Sequence, residues 1–173
     1  MKRILTFMTL LALVLTACEG DPGIPGPPGP QGPSGQNGLN ADEYAAEAFE
    51  IVLDFTPQNN YEFIEPYGFP VAPSSVTLVY ISWEVDNGQD IWRLLPQTVI
   101  FEDGNDLVYN FDFTQNDVRF FLEGSDLDGL DQVWTQAQVF RVVVLPTINA
   151  GRLDLTDIDA VMQTYGIDSF ERR

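Results

Sequence analysis

One loop of the chain carries acidic residues at a spacing that could hold a cation. Residues 125 to 131 read SDLDGLD, and their carboxylates belong to Asp126, Asp128 and Asp131. Calcium prefers such oxygen ligands, and Gly129 would permit the sharp turn that a calcium loop needs. When the segment is aligned by this glycine to the calcium-binding loop of an EF-hand, however, Gly124 falls at the first ligand position and Thr135 at the last. Carboxylates are required at both positions. We predict a solvated acidic turn, with a weak calcium site as the alternative.

A second candidate is a group of aromatic residues in the proline-rich stretch from 58 to 75. The rings are those of Tyr61, Phe63, Tyr67 and Phe69. We expect this stretch to be a loop, because it has little periodicity, and aromatic faces on loops commonly stack on sugars or grip peptides. We predict that these rings cap one end of the domain or form contacts between subunits, with a ligand-binding surface as the alternative. The three tryptophans, Trp83, Trp92 and Trp134, are expected in the core.

Composition excludes several kinds of chemistry. The chain has no histidine, its one cysteine is Cys18, and its one lysine is Lys2. Serine-histidine and cysteine-histidine catalysis, thiolate or imidazole zinc sites and Schiff-base chemistry therefore lack their residues. Paired carboxylates could hydrolyse glycosides, but no spacing selects a pair among the 26 acidic residues. We predict a protein that is not an enzyme, has no cofactor, and does not bind nucleic acid, which a net charge of -18 repels.

The N-terminal residues have the form of a membrane-targeting leader. Lys2 and Arg3 precede an apolar run over residues 4 to 15, which is short for a membrane span. The run leads into Leu15-Thr16-Ala17-Cys18, which resembles the bacterial lipobox. That resemblance implies cleavage of residues 1 to 17 and a diacylglycerol on the Cys18 thiol. It also implies that the new amino group of Cys18 usually carries an acyl chain such as palmitate, so that residues 18 to 19 form the lipidated N-terminus. The alternatives are an ordinary secretory signal and an uncleaved anchor helix.

Residues 20 to 40 contain a glycine at every third position. These glycines are Gly20, Gly23, Gly26, Gly29, Gly32, Gly35 and Gly38. The period resembles collagen, in which only glycine fits at the crowded axis of three polyproline-II chains. It predicts a stalk of about 65 Å at the polyproline-II rise, formed by a homotrimer. The alternative is a stiff spacer made of a single chain.

Residues 41 to 173 remain as the globular head domain. Apolar side chains alternate in seven predicted strands, over residues 49–55, 76–85, 90–95, 98–101, 107–113, 117–122 and 138–145. This pattern predicts a mainly β, antiparallel β-sandwich of jelly-roll-like type. Asn87-Gly88 is expected to form a hairpin turn between two of the strands. A helical turn or two is expected around residues 45 to 48. A short C-terminal helix is expected with Thr156 as its N-cap and Gly166 at its end.

The head sequence also resembles a family. The segments from SWEVDNGQD to FFLEG, then WTQAQVFRVVVLP and DLTDIDAVMQTYG, are similar to the C-terminal domain of collagen-like surface lipoproteins of Bacteroidota-type bacteria. With Glu19 and Asp21 after the anchor, this resemblance implies a lipid-anchored protein of the outer membrane, exposed at the cell surface. The expected role is structural or adhesive display of the head. The alternative is a binding module that captures a glycan or peptide through the rings near residues 61 to 69.

Overall fold

The computed structural model describes residues 45–146 and 153–173. The predicted leader, the lipidated terminus with Cys18 and the Gly-X-Y repeat lie outside these residues. Everything that follows on structure concerns the head domain.

Within the described residues, nine strands form two sheets that face each other as a β-sandwich. The first sheet has the order β4-β3-β8-β1-β9, with β1 Glu47–Leu53, β3 Val76–Asp86, β4 Gln89–Leu94, β8 Gln138–Leu145 and β9 Glu171–Arg172. The second has the order β2-β7-β6-β5, with β2 Glu62–Pro66, β5 Gln97–Ile100, β6 Asp106–Phe113 and β7 Asp117–Gly124. Neighbouring strands are antiparallel except β1 and β9, which are parallel. The predicted fold class, a mainly β sandwich with one short helix, is confirmed.

The main core lies between the two sheets. Alternate side chains point inward, such as Phe49, Ile51 and Leu53 of β1 and Val118 and Phe120 of β7, and all of these are buried. Removing each large apolar side chain from water contributes about 1.5–3 kcal/mol to folding. The period-two pattern therefore fixes both the register of the strands and the face that each strand buries.

A second, smaller core covers the outer face of the first sheet. The helix α1, Ile158–Tyr165, places Ile158 and Val161 against the outward side chains of β3 and β8. Gly166 ends the helix in the left-handed conformation, with φ 68°, as predicted. The predicted N-cap is wrong by one residue. Asp157 caps the helix by accepting a hydrogen bond from the Ala160 N–H at 3.1 Å, whereas the Thr156 hydroxyl bonds to Asp154.

Three further expectations can be compared with the backbone. The helical turn expected at residues 45 to 48 is wrong, because Ala48 pairs with Val143 in the β1–β8 register and strand pairing overrides the helix propensity of alanine. The loop expected over residues 58 to 75 contains strand β2. The hairpin predicted at Asn87-Gly88 is confirmed, with φ 49° and 84° at these two residues.

The sandwich has two distinct ends. At one end, which we call the entry end, the chain begins β1 at Glu47 opposite Val144 of β8. At the other end, β1 finishes at Leu53 opposite Gln138, where β8 begins. The segments 54–61, 101–105 and 125–137 meet there, and we call this the loop end. The candidate binding features lie at the loop end.

Candidate functional site

Three adjoining clefts open between the segments of the loop end. Their volumes are about 180, 210 and 200 Å³. Trp134 lines the first and second clefts, and Leu130 lines the second and third. The segment 125–137 is therefore common to all three, and we take the second cleft, at its centre, as the candidate site.

The central cleft combines aromatic rings with carboxylates. Phe101 and Trp134 meet edge to face, with ring centroids 5.5 Å apart, and both are only half-buried. Polar side chains complete the lining, namely those of Asp103, Asn105, Asp126 and Asp131. The loops that carry these groups are brought together because β6 and β7 are neighbours, with Leu107 opposite Gly124.

Hydrogen bonds hold most of these polar groups in place. Asp103 accepts hydrogen bonds from the backbone and side-chain N–H groups of Asn105, both at 2.9 Å. The Asn105 amide oxygen accepts from the Ser125 hydroxyl at 3.1 Å, which ties the two loops together. Asp126 accepts from the Gly129 N–H at 3.1 Å. Gly129 lies close enough that an added Cβ would be 2.5 Å from the other Asp126 oxygen, so a larger residue at this position would have to displace the Asp126 carboxylate.

Asp131 differs from these held carboxylates. It is exposed and precedes the short 3-10 turn Gln132–Trp134, but its side chain makes no capping hydrogen bond there. An exposed carboxylate without a hydrogen-bond donor from the described residues is available to a ligand. The central cleft is therefore lined by the half-buried ring of Trp134 and by the exposed carboxylate of Asp131.

The three aspartates of the SDLDGLD loop are divided between two clefts. Asp126 and Asp131 line the central cleft, whereas Asp128 lines the third and accepts a hydrogen bond from the Tyr61 hydroxyl at 2.7 Å. This hydrogen bond, together with desolvation and the charges of Asp128 and Asp126, raises the pKa of Tyr61 to about 12. In the part of the chain that the structure describes, no three acidic, histidine or cysteine side chains converge as metal ligands. The predicted alternative of a calcium site thus finds only two of its aspartates together.

The four aromatic residues predicted to form a binding loop do not share one surface. Tyr67 is fully buried, with its hydroxyl 2.6 Å from that of Thr77, and burial raises its pKa. Phe69 stacks on Tyr67 near the entry end, with ring centroids 5.6 Å apart. Phe63 is 37% exposed on the edge strand β2, and Tyr61 alone reaches the loop end. The alternative of a common ligand-binding surface is therefore contradicted, because part of the segment forms strand β2 and Tyr67 packs into the core.

The tryptophans are less deeply placed than the sequence suggests. Trp83 and Trp134 pack at the margin of the main core and Trp92 at the margin of the second core, each half-buried. The sequence did not single out Phe101, Asp103 or Trp134 as site residues. Their only local signal is the closeness of Trp134 to the acidic loop, since Phe101 and Asp103 join it solely through the pairing of β6 with β7.

No protein family, curated protein or solved structure matches the chain in the comparisons made with known proteins. Among the residues that the structure describes, no helix is long and apolar enough to cross a membrane. The sequence pattern and the geometry of the head are therefore the observations that bear on function.

Proposed function

We propose that this protein is a lipid-anchored protein of the outer-membrane surface, whose collagen-like stalk holds the β-sandwich head away from the membrane for structural or adhesive interactions. One observation carries the proposal. The chain enters the head at Glu47, at the entry end, whereas the three clefts lie at the opposite, loop end. A partner that binds in the clefts would therefore contact the end of the head opposite to the start of β1.

The anchor follows from the chemistry of the proposed modification of Cys18. Each buried methylene group contributes about 0.8 kcal/mol to membrane binding, and a single acyl chain holds a protein only marginally. A diacylglycerol on the thiol and an acyl chain on the N-terminus would together hold it firmly. No membrane-spanning segment is then needed for the mature chain.

The trimer follows from the spacing of the glycines. A stiff single-chain spacer needs proline, but it has no use for glycine at every third residue, whereas a triple helix requires it. The repeat is short, so its three chains need further contacts to stay together. Lipid anchors in one membrane would supply this help by raising the effective concentration of the chains.

The anchor is tested with Cys18→Ser in the full chain expressed in a bacterial host that lipidates its own surface proteins. The unaltered chain should incorporate labelled palmitate, sediment with the outer membrane and be digested when protease is added to whole cells. Cys18→Ser should lose the label and leave the membrane fraction. Thr16→Ser is the matched control, because it keeps a small polar residue before the cysteine and should behave as the unaltered chain. Absence of labelled palmitate from the unaltered chain would refute lipid anchoring.

A second candidate function is that of a binding module, and the continuous group of clefts at the loop end favours it. The ring surface expected near residues 61 to 69 does not support this function in its original form, since Tyr67 is buried. The loop-end cleft around Trp134 is the better place for a ligand. The two functions are compatible, because a head that is held away from the membrane can present its loop-end clefts to a ligand.

A further inference from the structure

The arginines of the head follow one repeated arrangement. Four of them lie over an aromatic ring and also pair with a carboxylate. The four sets are Arg93 with Trp83 and Glu84, Arg119 with Phe121 and Glu62, Arg141 with Trp92 and Glu50, and Arg173 with Phe49 and Glu65. The guanidinium carbon is 4.0 to 4.7 Å from the ring centre in each set. A guanidinium suits both partners, because its flat face stacks on the ring while its N–H groups point to the acid.

The central cleft contains the same two partners without a cation. Trp134 supplies a half-buried ring, and Asp126 and Asp131 supply carboxylates, but no arginine or lysine lines this cleft. The loops on either side offer none, since residues 101–106 and 123–137 contain seven acidic residues and no basic ones. The central cleft is thus lined by a ring and by carboxylates that the arginines of the described head do not occupy.

The surroundings of the cleft fit a polypeptide better than a free cation. Ile100 and Val133 directly precede the cleft-lining residues Phe101 and Trp134 in the chain and are 78% and 73% exposed, and Val133 lines the adjoining first cleft. Exposed aliphatic side chains next to a charged pocket can pack against residues that flank a bound arginine. The negative charge of both loops would also speed the approach of a basic segment and repel an acidic one.

We propose that the central cleft at the loop end receives the guanidinium group of an arginine from a basic segment of a partner protein. The guanidinium lies on the Trp134 ring and donates to the carboxylates of Asp131 and Asp126. This inference deepens the proposed display function, because it names the kind of partner that the displayed end would hold.

The test measures peptide binding by the full chain, kept in nonionic detergent micelles, with isothermal titration calorimetry. The probe is a capped peptide of alternating glycine and arginine, and the same peptide with citrulline has the same shape without the charge. We expect the arginine peptide to bind and the citrulline peptide not to bind. Trp134→Leu and Asp131→Asn should each weaken binding by about tenfold, as expected for loss of a desolvated cation–ring or ion contact.

Glu102→Gln is the matched control for Asp131→Asn. Glu102 belongs to the same acidic end but does not line the cleft, so its loss removes the same charge and should change binding by less than about twofold. The Asp131 side chain is exposed and makes no hydrogen bond to the described residues, so Asp131→Asn should fold even if Trp134→Leu does not. Equal losses for Glu102→Gln and Asp131→Asn, or equal binding of the citrulline peptide, would overturn the proposal. Because surface location plays no part in this measurement, its failure leaves the display function standing, and the reverse also holds.

Discussion

Tyr61 and Tyr67 each place one hydroxyl against another polar side chain, but in opposite environments. The Tyr67 and Thr77 hydroxyls form a hydrogen bond, and both residues are almost wholly buried. The Tyr61 hydroxyl donates to Asp128 at the surface. A buried polar group that loses its partner is left without water to replace it, whereas an exposed one is solvated again at once.

At the residue scale we therefore predict different effects for the same chemical change. Tyr67→Phe should lower the free energy of unfolding by about 1–2 kcal/mol, because it leaves the buried Thr77 hydroxyl without its partner. Tyr61→Phe should change this free energy by less than about 0.5 kcal/mol, as is usual for surface substitutions. Urea denaturation of both variants measures the difference. Equal losses of stability would mean that the Tyr67 hydroxyl is not held as the structure shows.

At the scale of elements, period-two alternation in the sequence predicted the long strands, but it did not predict the short strands that depend on pairing with a neighbour. The seven predicted strands all exist, because each carries enough alternating apolar residues to bury a face. Strand β2 was missed because it is a short edge strand ending at Pro66, and it is defined by its pairing with β7. Strand β9 has two residues and forms only against β1. The cleft was missed for the same reason, since the loops of Phe101 and Trp134 meet through sheet order.

The pairing of β9 with β1 is reinforced by an ion network that has a measurable consequence. Glu50 is 8% exposed and accepts from Arg141 at 3.2 Å and from Arg172 at 3.0 Å. Glu50→Gln should lower the free energy of unfolding by about 1–3 kcal/mol, since it leaves the less exposed Arg141 cation without its counter-ion. Glu84→Gln breaks the exposed pair with Arg93 and should cost less than about 1 kcal/mol. Urea denaturation compares the two, and a smaller effect at Glu50 than at Glu84 would contradict the network.

At the scale of the whole molecule, the question is what holds three chains together. The large apolar side chains that the described head exposes belong to different strands and loops of both sheets. They include Val52 on β1, Ile64 on β2, Val85 on β3 and Ile100 on β5. A stable subunit interface needs a continuous patch with an apolar centre, so such scattered residues do not favour association through the head alone. The proposed trimer would then depend on the Gly-X-Y repeat and the lipid anchors.

This dependence predicts how the mass in solution changes with the length of the chain. Residues 41 to 173 should sediment as a monomer. Residues 19 to 173 contain the repeat but no lipid anchor, so they should form trimers only at the upper end of the concentration range. Gly29→Ala should abolish this association, since even a methyl group at a central glycine does not fit the crowded axis. Gln31→Ala is the matched control, because only the glycine of each triplet would have to fit at the axis of a triple helix. Analytical ultracentrifugation over a concentration series decides the matter. A trimer of residues 41 to 173 would place the contact in the head, and monomers of both lengths would leave the membrane as the only means of bringing the chains together.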